Sequence, residues 1–282
     1  MSATLAATTT STVHTVRSAD GTTIAYHTTG TGPGLLLIPG ALSDATDFTT
    51  LINALATTFT VHAIQRRARR GSGPIGPGYS IETECADISA VRAATGASYA
   101  FGHSYGGLVA LETARRDPAI TKLAVYEPGV NVQGLIAGDW IPQYRQYLAQ
   151  GRQFDAFATF SIATGPSKAK RNPRWLMAAI LRMVFRGEKR TKLFELLDAV
   201  AYEHAEVDRL NDSYPNYREV SADVLLMAGG KSDLPQVPPA LARLSEVLPS
   251  SRLQTFPKLD HFGPHHKGEA DIAAAITAFL RG

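Results

Sequence analysis

The sequence predicts an α/β fold in which helices flank a mostly parallel central sheet and an all-helical cap is inserted. Three observations predict it. Residues 35–38 (Leu-Leu-Leu-Ile) form a continuous apolar run, which is typical of a strand buried on both faces. Strand and helix patterns alternate up to residue 128 and again from residue 222, a pattern that favours a doubly wound sheet. Residues 129–221 show helical patterns alone.

The first half of the core is predicted to open with a hairpin. Residues 13–29 read as two alternating strands around Asp20-Gly21, and Asp-Gly is a strong signal for a tight hairpin turn. The elements that follow are predicted as a strand at 35–38, a helix at 45–57, a strand at 59–64, a helix at 81–95, a strand at 98–103, a helix at 105–116 and a strand at 120–127.

The second half of the core returns after the inserted helices, whose apolar surface comes largely from aromatic residues such as Trp140, Tyr144 and Phe157. The predicted organisation is a flexible N-terminus at 1–12, a core at 13–128 and 222–282, and a helical cap at 129–221. The remaining core elements are predicted as a strand at 224–227, a helix at 237–248, a strand at 251–256 and a last helix at 269–280.

The composition is that of an ordinary globular protein. The chain has 282 residues, of which 44% are hydrophobic and 19% are charged, so it can bury a sizeable core. Its net charge is only +3, and its basic character comes largely from the arginine run at 66–70, so we expect no nucleic-acid partner. The single cysteine, Cys85, excludes an intrachain disulfide, and we expect neither a metal nor a cofactor.

Membrane and targeting signals are absent from the sequence pattern. No apolar run approaches the ~18 residues that a transmembrane helix needs. The first residues lack the basic and apolar regions of a signal peptide. We therefore expect a cytoplasmic protein without a membrane span.

A candidate nucleophile lies in the Gly-x-Ser-x-Gly pattern of residues 102–107 (Gly-His-Ser-Tyr-Gly-Gly). The pattern follows a predicted strand and opens a predicted helix, and a sharp turn of this kind leaves no room for side chains at the glycines. The turn would raise Ser104 above the edge of the sheet. A serine that only caps the helix is the alternative interpretation.

A serine hydroxyl needs a base to take its proton. His261 follows the last predicted strand and therefore lies at the same carboxyl edge of the sheet as Ser104. We interpret His265 and His266 as solvated residues of that loop or of the entry to the last helix. His103 precedes Ser104 and is interpreted as a packing residue of the turn.

Several motifs together resemble the α/β-hydrolase-fold serine hydrolases, esterases and lactonases among them, over nearly all of residues 13–282. These motifs are Ile-Pro-Gly-Ala at 38–41, the turn around Ser104, Gly-Gly-Lys-Ser at 229–232 and Asp-His-Phe at 260–262. The resemblance implies a triad in the chain order serine, acid, histidine. It also implies an oxyanion hole formed by the backbone N–H groups of Ala41 and Tyr105, with Leu42 as the alternative to Ala41.

The resemblance leaves two residues as candidates for the acid. The common position follows the seventh strand, where an ungapped alignment places Ser232. Asp233 comes one residue late, or in register if the glycine counted is Gly230. Glu127 ends the predicted strand at 120–127, a place where certain lactonases and dehalogenases of this superfamily carry the acid. A glutamate that ends a buried apolar strand is costly unless it is paired, so we favour Glu127 over Asp233.

Residues 65–73 resemble the Asp-Arg-x-Gly-x-Gly-x-Ser loop of the family, with Gln65 in place of the acid and with Ala68 and Arg70 in place of glycines. Two interpretations stay open for the four arginines of this loop. They either receive an anionic group of the substrate or are solvated and bonded to backbone carbonyls.

The predicted function is a serine hydrolase that cleaves a carboxylic ester, lactone or thioester through an acyl-enzyme. The alternative is a non-hydrolytic enzyme on the same fold, such as a lyase, a cyclase or an acyltransferase, because a fold does not determine a reaction. The cap predicts a small-molecule substrate with a bulky, apolar acyl or alcohol portion. A homodimer is possible.

Overall fold

The computed structural model describes residues 11–167 and 169–282. The predicted flexible N-terminus at 1–12 falls almost entirely outside these residues, and Thr12 already belongs to the first strand. The strands are β1 (Thr12–Arg17), β2 (Thr23–Thr29), β3 (Gly34–Ile38), β4 (Thr60–Gln65), β5 (Tyr99–His103), β6 (Lys122–Tyr126), β7 (Asp223–Gly229) and β8 (Ser251–Phe256).

The strands form one eight-stranded sheet in the order β1-β2-β4-β3-β5-β6-β7-β8. The pairs β1–β2 and β2–β4 are antiparallel and the other pairs are parallel, which confirms the predicted mostly parallel sheet. The chain leaves β3 toward β4 on one side and returns to β5 on the other. Loops that leave β3 and β5 at their carboxyl ends therefore border one crevice, the usual place for a ligand in such sheets.

Helices cover both faces of the sheet and fill the connection between β6 and β7. The predicted helix at 45–57 is a short 3-10 turn, Ala45–Phe48, followed by an α-helix, and the carboxylate of Asp44 caps the turn by accepting from the N–H of Thr46. The helices are α1 (Thr49–Leu55), α2 (Ile81–Thr95), α3 (Tyr105–Arg116), α4 (Ile141–Ala149), α5 (Gln153–Thr164), α6 (Arg174–Val184), α7 (Gly187–Arg209), α8 (Val237–Val247) and α9 (Glu269–Arg281).

The core has one apolar layer on each face of the sheet. Strand side chains alternate between the layers, so Leu36 and Ile38 of β3 pack with α2, α3 and α8, whereas Leu35 and Leu37 pack with α1 and α9. Burial on both faces explains why β3 is apolar at every one of these positions.

The helical insert, defined here as residues 129–221, contains α4 to α7 and has its own apolar cluster around Trp140, Tyr144 and Leu197. Tyr144 donates from its hydroxyl to the carbonyl oxygen of Leu197 at 2.7 Å, which ties α4 to α7. Across the described parts of the chain, no helix combines the length and the apolar character required to cross a membrane.

Candidate active site

Ser104 lies on a strained turn between β5 and α3. Its φ and ψ angles are 53° and −122°, a conformation that L residues rarely adopt. The glycines beside it are required by space, because a Cβ on Gly106 would overlap the carbonyl oxygen of Ile38 and one on Gly102 would overlap that of Gly106. The Gly-x-Ser-x-Gly spacing is therefore a packing requirement of the turn that presents Ser104.

Glu127 and His261 are joined by a hydrogen bond. Glu127 directly follows β6, is almost completely buried and has a φ of 44°. His261 Nδ1 and Glu127 Oε2 lie 2.7 Å apart. His261 is the donor, because a carboxylate can only accept. Glu127, and not Asp233, is thus the carboxylate that the structure brings to His261. Asp233 is exposed at the rim of the neighbouring cavity.

Two further donors hold the carboxylate of Glu127. The N–H of Gly229 donates to Oε1 at 2.9 Å, and the hydroxyl of Ser232 donates to Oε2 at 2.9 Å. The sequence interpretation missed Ser232 as a partner of Glu127. Its signal was present, since the ungapped alignment had placed this serine where the acid of the common pattern stands.

His103 supports the loop that carries His261. It is buried and donates from Nε2 to the backbone carbonyl oxygen of His261 at 2.9 Å. Burial, together with the neighbouring imidazoles of His261 and His265, holds the pKa of His103 well below its ordinary value. His103 is thus a neutral residue that packs beneath the turn and fixes the backbone of the histidine loop.

His265 is partly buried and therefore less solvated than expected, whereas His266 is exposed as expected. The His265 ring packs edge-on against Phe48 and His103, with centroids 5.1 Å and 5.3 Å away. Burial lowers the pKa of His265. The short 3-10 turn Gly263–His265, which the sequence did not predict, brings this ring inward.

The backbone N–H groups of Ala41, Leu42 and Tyr105 lie at the crevice between β3 and β5. Within residues 11–167 and 169–282, none of the three has a hydrogen-bond partner. All three residues line the same cavity as Ser104. These N–H groups can therefore donate to an anionic oxygen. Ala41 and Leu42 both remain candidates for the donor from the loop after β3.

The arginine loop is buried and paired, which overturns the solvated interpretation for Arg66, Arg67 and Arg69. Their exposed fractions are 1%, 2% and 3%, and only Arg70 reaches the surface. The first interpretation had described them as solvated and bonded to backbone carbonyls, and the carbonyl bonds are present for Arg66 and Arg69. Acidic side chains already match their charges, in the ion pairs Arg66–Glu84, Arg66–Glu203, Arg67–Asp87, Arg67–Asp20 and Arg69–Glu203.

Arg66 also holds the loop that carries Ala41. It donates from Nε to the carbonyl oxygen of Pro39 and from Nη2 to that of Gly40, each at 2.8 Å. The carbonyl of Gly40 and the N–H of Ala41 belong to one planar peptide, so fixing the carbonyl also fixes the direction of the N–H. The guanidinium carbon lies 4.9 Å from the ring centroid of Tyr105. One buried cation therefore contacts both segments that carry candidate oxyanion donors.

The cavity beside Ser104 has a volume of about 530 Å³. Ser104, Glu127 and His261 line it on the side of the core. The opposite wall is mainly apolar and is formed largely by the helical insert. The insert side chains in this wall include Ile136, Phe157, Phe160, Phe185, Leu193 and Val207.

His204 is a polar residue in this apolar wall that sequence reasoning missed, because no motif surrounds it. It donates from Nδ1 to the carbonyl oxygen of Val200 at 3.0 Å, and its ring packs edge-on against Trp140 and Phe160. Burial lowers its pKa. A neutral imidazole with Nδ1 engaged in this way offers Nε2 as an acceptor.

As for metals, the described residues contain no group of three or more His, Cys, Asp or Glu placed to hold an ion.

Comparisons with known proteins agree with this architecture. The model of the alpha/beta hydrolase family matches residues 35–275. The uncharacterized hydrolase YraK of Bacillus subtilis (strain 168) is 30% identical over 132 residues, which cover 45% of this chain and 48% of that protein. The matched segment therefore spans about half of that relative.

Solved structures share the fold over almost the whole chain. An alpha/beta hydrolase from Sphaerobacter thermophilus DSM 20745 has a TM-score of 0.80 at 28% identity and covers 95% of this chain and 100% of that one. A thermophilic esterase from Thermogutta terrifontis, solved with malate bound, has a TM-score of 0.74 at 20% identity and covers 96% and 98% of the two chains.

Proposed function

The chain belongs to the alpha/beta hydrolase family, and from this premise we propose that it is a serine hydrolase that cleaves a carboxylic ester, lactone or thioester through an acyl-enzyme. The observation that carries the proposal is the 2.7 Å hydrogen bond from His261 Nδ1 to Glu127 Oε2, beside a cavity that Ser104 also lines. It supplies an oriented base near a serine on a strained turn.

In the proposed first step, Ser104 Oγ attacks the carbonyl carbon of the substrate and His261 Nε2 takes the hydroxyl proton. Nε2 is the basic nitrogen because Nδ1 carries the hydrogen that is donated to Glu127. The carboxylate then stabilises the imidazolium. The carbonyl oxygen becomes an oxyanion, which the N–H groups of Tyr105 and Ala41 stabilise.

The intermediate collapses when the bond to the leaving group breaks. The imidazolium of His261 returns its proton to the departing alkoxide or thiolate, and the acyl group remains on Ser104. In the second half of the reaction, His261 takes a proton from water, the resulting hydroxide attacks the acyl carbon, and Ser104 leaves with the proton. The products are a carboxylic acid and an alcohol or thiol, and a lactone gives both groups on one molecule.

We propose that the helical insert acts as a cap that selects an apolar substrate. Its aromatic side chains, such as Phe157 and Phe160, face the same cavity as Ser104. An apolar wall of this kind favours a substrate whose acyl or alcohol portion is hydrophobic. The boundaries of the proposed cap are residues 129 and 221.

Steady-state hydrolysis of p-nitrophenyl esters of increasing chain length tests the proposal. We expect wild-type turnover to fall by at least ~10³-fold in Ser104→Ala, because the nucleophile is lost. Ser161→Ala is the matched control, since Ser161 lines the same cavity within α5. Unchanged turnover in Ser104→Ala would overturn the proposal. Wild-type protein that is inactive on esters, lactones and thioesters alike would point to a lyase, cyclase or acyltransferase.

The choice of acid has its own test. Glu127→Ala is expected to lower kcat by at least ~10³-fold, because the imidazole loses the group that orients it and stabilises its charge. Asp233→Ala is expected to keep near-normal turnover, since the hydrogen bond that His261 Nδ1 makes within the described residues goes to Glu127 and not to Asp233. The reverse pattern would transfer the role to Asp233. Glu127→Gln serves as the isosteric control for folding.

A further inference from the structure

Helix α6 exposes an apolar face that no described residue covers. Its opposite side packs against α5 and buries Ala178 completely. Monomeric proteins rarely leave several large apolar side chains exposed together, so this face indicates a binding partner. The exposed fractions are 69% for Trp175, 37% for Ile180, 62% for Met183 and 60% for Val184.

Exposed basic side chains surround these apolar residues. Between residues 171 and 190 they outnumber acidic ones by six to one, and the acidic one is Glu188. Among the described side chains, only Arg182 of this group forms an ion pair, with Asp155. We call the four apolar residues together with this basic rim the α6 face. The rim consists of Arg171, Arg174, Arg182, Arg186, Lys189 and Arg190.

The α6 face concentrates exposed positive charge within twenty residues of the chain. Its net charge of +5 follows from the six basic residues and Glu188, whereas the whole chain has a net charge of only +3. The arginine run that first explained the basic composition is largely buried and neutralised by carboxylates. The partner of the α6 face therefore carries negative charge around an apolar contact.

A second copy of the chain fits this surface poorly. In a symmetric dimer the same patch faces itself, so the two basic rims would meet across the contact. Like charges placed opposite one another oppose association. The partner must instead combine an apolar interior with an anionic surface.

A lipid bilayer with anionic headgroups has both properties. Amphipathic helices that lie in a membrane interface present Trp and aliphatic side chains to the acyl region and Lys and Arg to the headgroups. We propose that the α6 face is a docking surface for membranes that contain anionic phospholipids. The helix lies on such a membrane and does not cross it.

Docking would place the cavity wall close to the membrane. Phe185 directly follows α6 and lines the cavity, and Ala169, shortly before α6, lines it as well. An amphiphilic molecule could then pass between the bilayer and the cavity over a short distance. Membrane binding of this kind does not require turnover, so its test is independent of the proposed hydrolysis.

Vesicle binding tests the proposal directly. The full chain is mixed at low ionic strength with vesicles of phosphatidylcholine alone or of phosphatidylcholine and phosphatidylglycerol in equal parts, and bound protein is separated by flotation. We expect binding to the anionic vesicles only, and release in high salt. The emission of Trp175 should shift to shorter wavelength on binding, whereas a Trp175→Phe variant keeps only the buried Trp140 and should show no shift.

Paired charge variants sharpen this test. Lys189→Gln/Arg190→Gln should bind anionic vesicles roughly 30-fold more weakly, the factor expected for the loss of two surface cations worth ~1 kcal/mol each. Lys258→Gln/Arg281→Gln removes the same charge from exposed positions outside the α6 face and should bind like wild type. Equal weakening of both variants would show general charge attraction and overturn the proposal.

Two further outcomes would also overturn it. One is the absence of binding to anionic vesicles at low salt. The other is a dimer in sedimentation equilibrium that dissociates in Met183→Glu while wild-type protein does not bind vesicles. That result would identify a second copy as the occupant of the α6 face.

Discussion

The molecule uses arginine in two opposite ways. Arg66, Arg67 and Arg69 are buried beneath the candidate active site and are paired with carboxylates. Arg171 and Arg186, on the rim of the α6 face, are exposed and form no ion pair with any described residue. The comparison shows that a run of arginines in a sequence does not indicate by itself whether its charge is available to a partner.

The two groups differ in what their removal should change. A buried ion pair that loses one partner leaves an uncompensated charge in a poorly solvated place, which costs about 3–5 kcal/mol. An exposed arginine is solvated with or without a partner, and exposed pairs contribute only ~0–1 kcal/mol. The buried group should therefore determine stability and loop geometry, and the exposed group should determine association.

Between the two groups of arginines, the largest expected effect is a lower turnover in Arg66→Lys. An ammonium group cannot donate to the carbonyls of Pro39 and Gly40 and also pair with both Glu84 and Glu203, so the peptide that carries the Ala41 N–H should shift. We expect kcat to fall about 100-fold with a smaller change in KM, the size seen when reacting groups are displaced by ~1 Å. Steady-state hydrolysis of the best p-nitrophenyl ester measures it.

Arg67→Lys is the matched control for that prediction. Arg67 is equally buried and bonds Asp87 through two nitrogens, at 2.7 Å and 2.8 Å, but it does not bond the loop at Pro39 and Gly40. Both variants should lower the unfolding temperature, whereas only Arg66→Lys should lower kcat when both are assayed well below that temperature. Equal loss of kcat in the two variants would show that Arg66 has no specific influence on the oxyanion loop.

The second prediction concerns acid stability. Burial disfavours the Glu203 carboxylate, but the guanidinium groups of Arg66 and Arg69 outweigh this effect and hold its pKa below the ordinary value of 4.5. The native state thus keeps this carboxylate ionised while the unfolded chain takes up a proton. The stability that results is present above pH 4.5 and is lost as the pH falls below it.

Glu203→Gln should therefore unfold more easily at neutral pH, by about 3 kcal/mol, and should lose less stability on acidification than wild type. Urea unfolding at pH 7 and at pH 4 measures both effects. If the free energy of unfolding falls as much between pH 7 and pH 4 in Glu203→Gln as in wild type, Glu203 is not the source of the acid sensitivity.

The smallest expected effect belongs to the exposed group. Changing Arg186, Lys189 and Arg190 together to Gln should alter the free energy of unfolding by no more than ~0.5 kcal/mol, because their solvation is nearly the same in the folded and unfolded chain. Urea unfolding at neutral pH measures it. A decrease in the free energy of unfolding of more than ~2 kcal/mol would mean that these residues stabilise the fold.

The sequence predicted the sheet well because burial on both faces leaves a local pattern. The apolar run of β3 and the turn after β5 are both readable from neighbouring residues, and strand 98–103 was expected where the structure has Tyr99–His103. Ser104, His261 and Glu127 were chosen from motifs at strand ends, and the structure places them around one cavity.

The features that the sequence did not predict depend on contacts between distant parts of the chain. The solvated interpretation of Arg66 failed because its partner Glu203 lies in the insert, and nothing near either residue in the sequence indicates the pair. His204 lies in the cavity wall because α7 packs against other parts of the insert, where its ring contacts Trp140 and Phe160. His265 is turned inward by a short 3-10 turn whose signal is too brief to read.

Glu203 also bears on how this enzyme can be re-engineered. It belongs to the insert, yet its carboxylate neutralises Arg66 and Arg69 of the core. A chimera that exchanges residues 129–221 for the corresponding segment of a relative would remove this anion. Arg66 would then keep only Glu84, and Arg69 would keep no carboxylate partner among the described residues. The donor segment must therefore supply an acidic residue at the same turn of α7, and single changes at lining residues such as Phe157 are the safer route to altered selectivity.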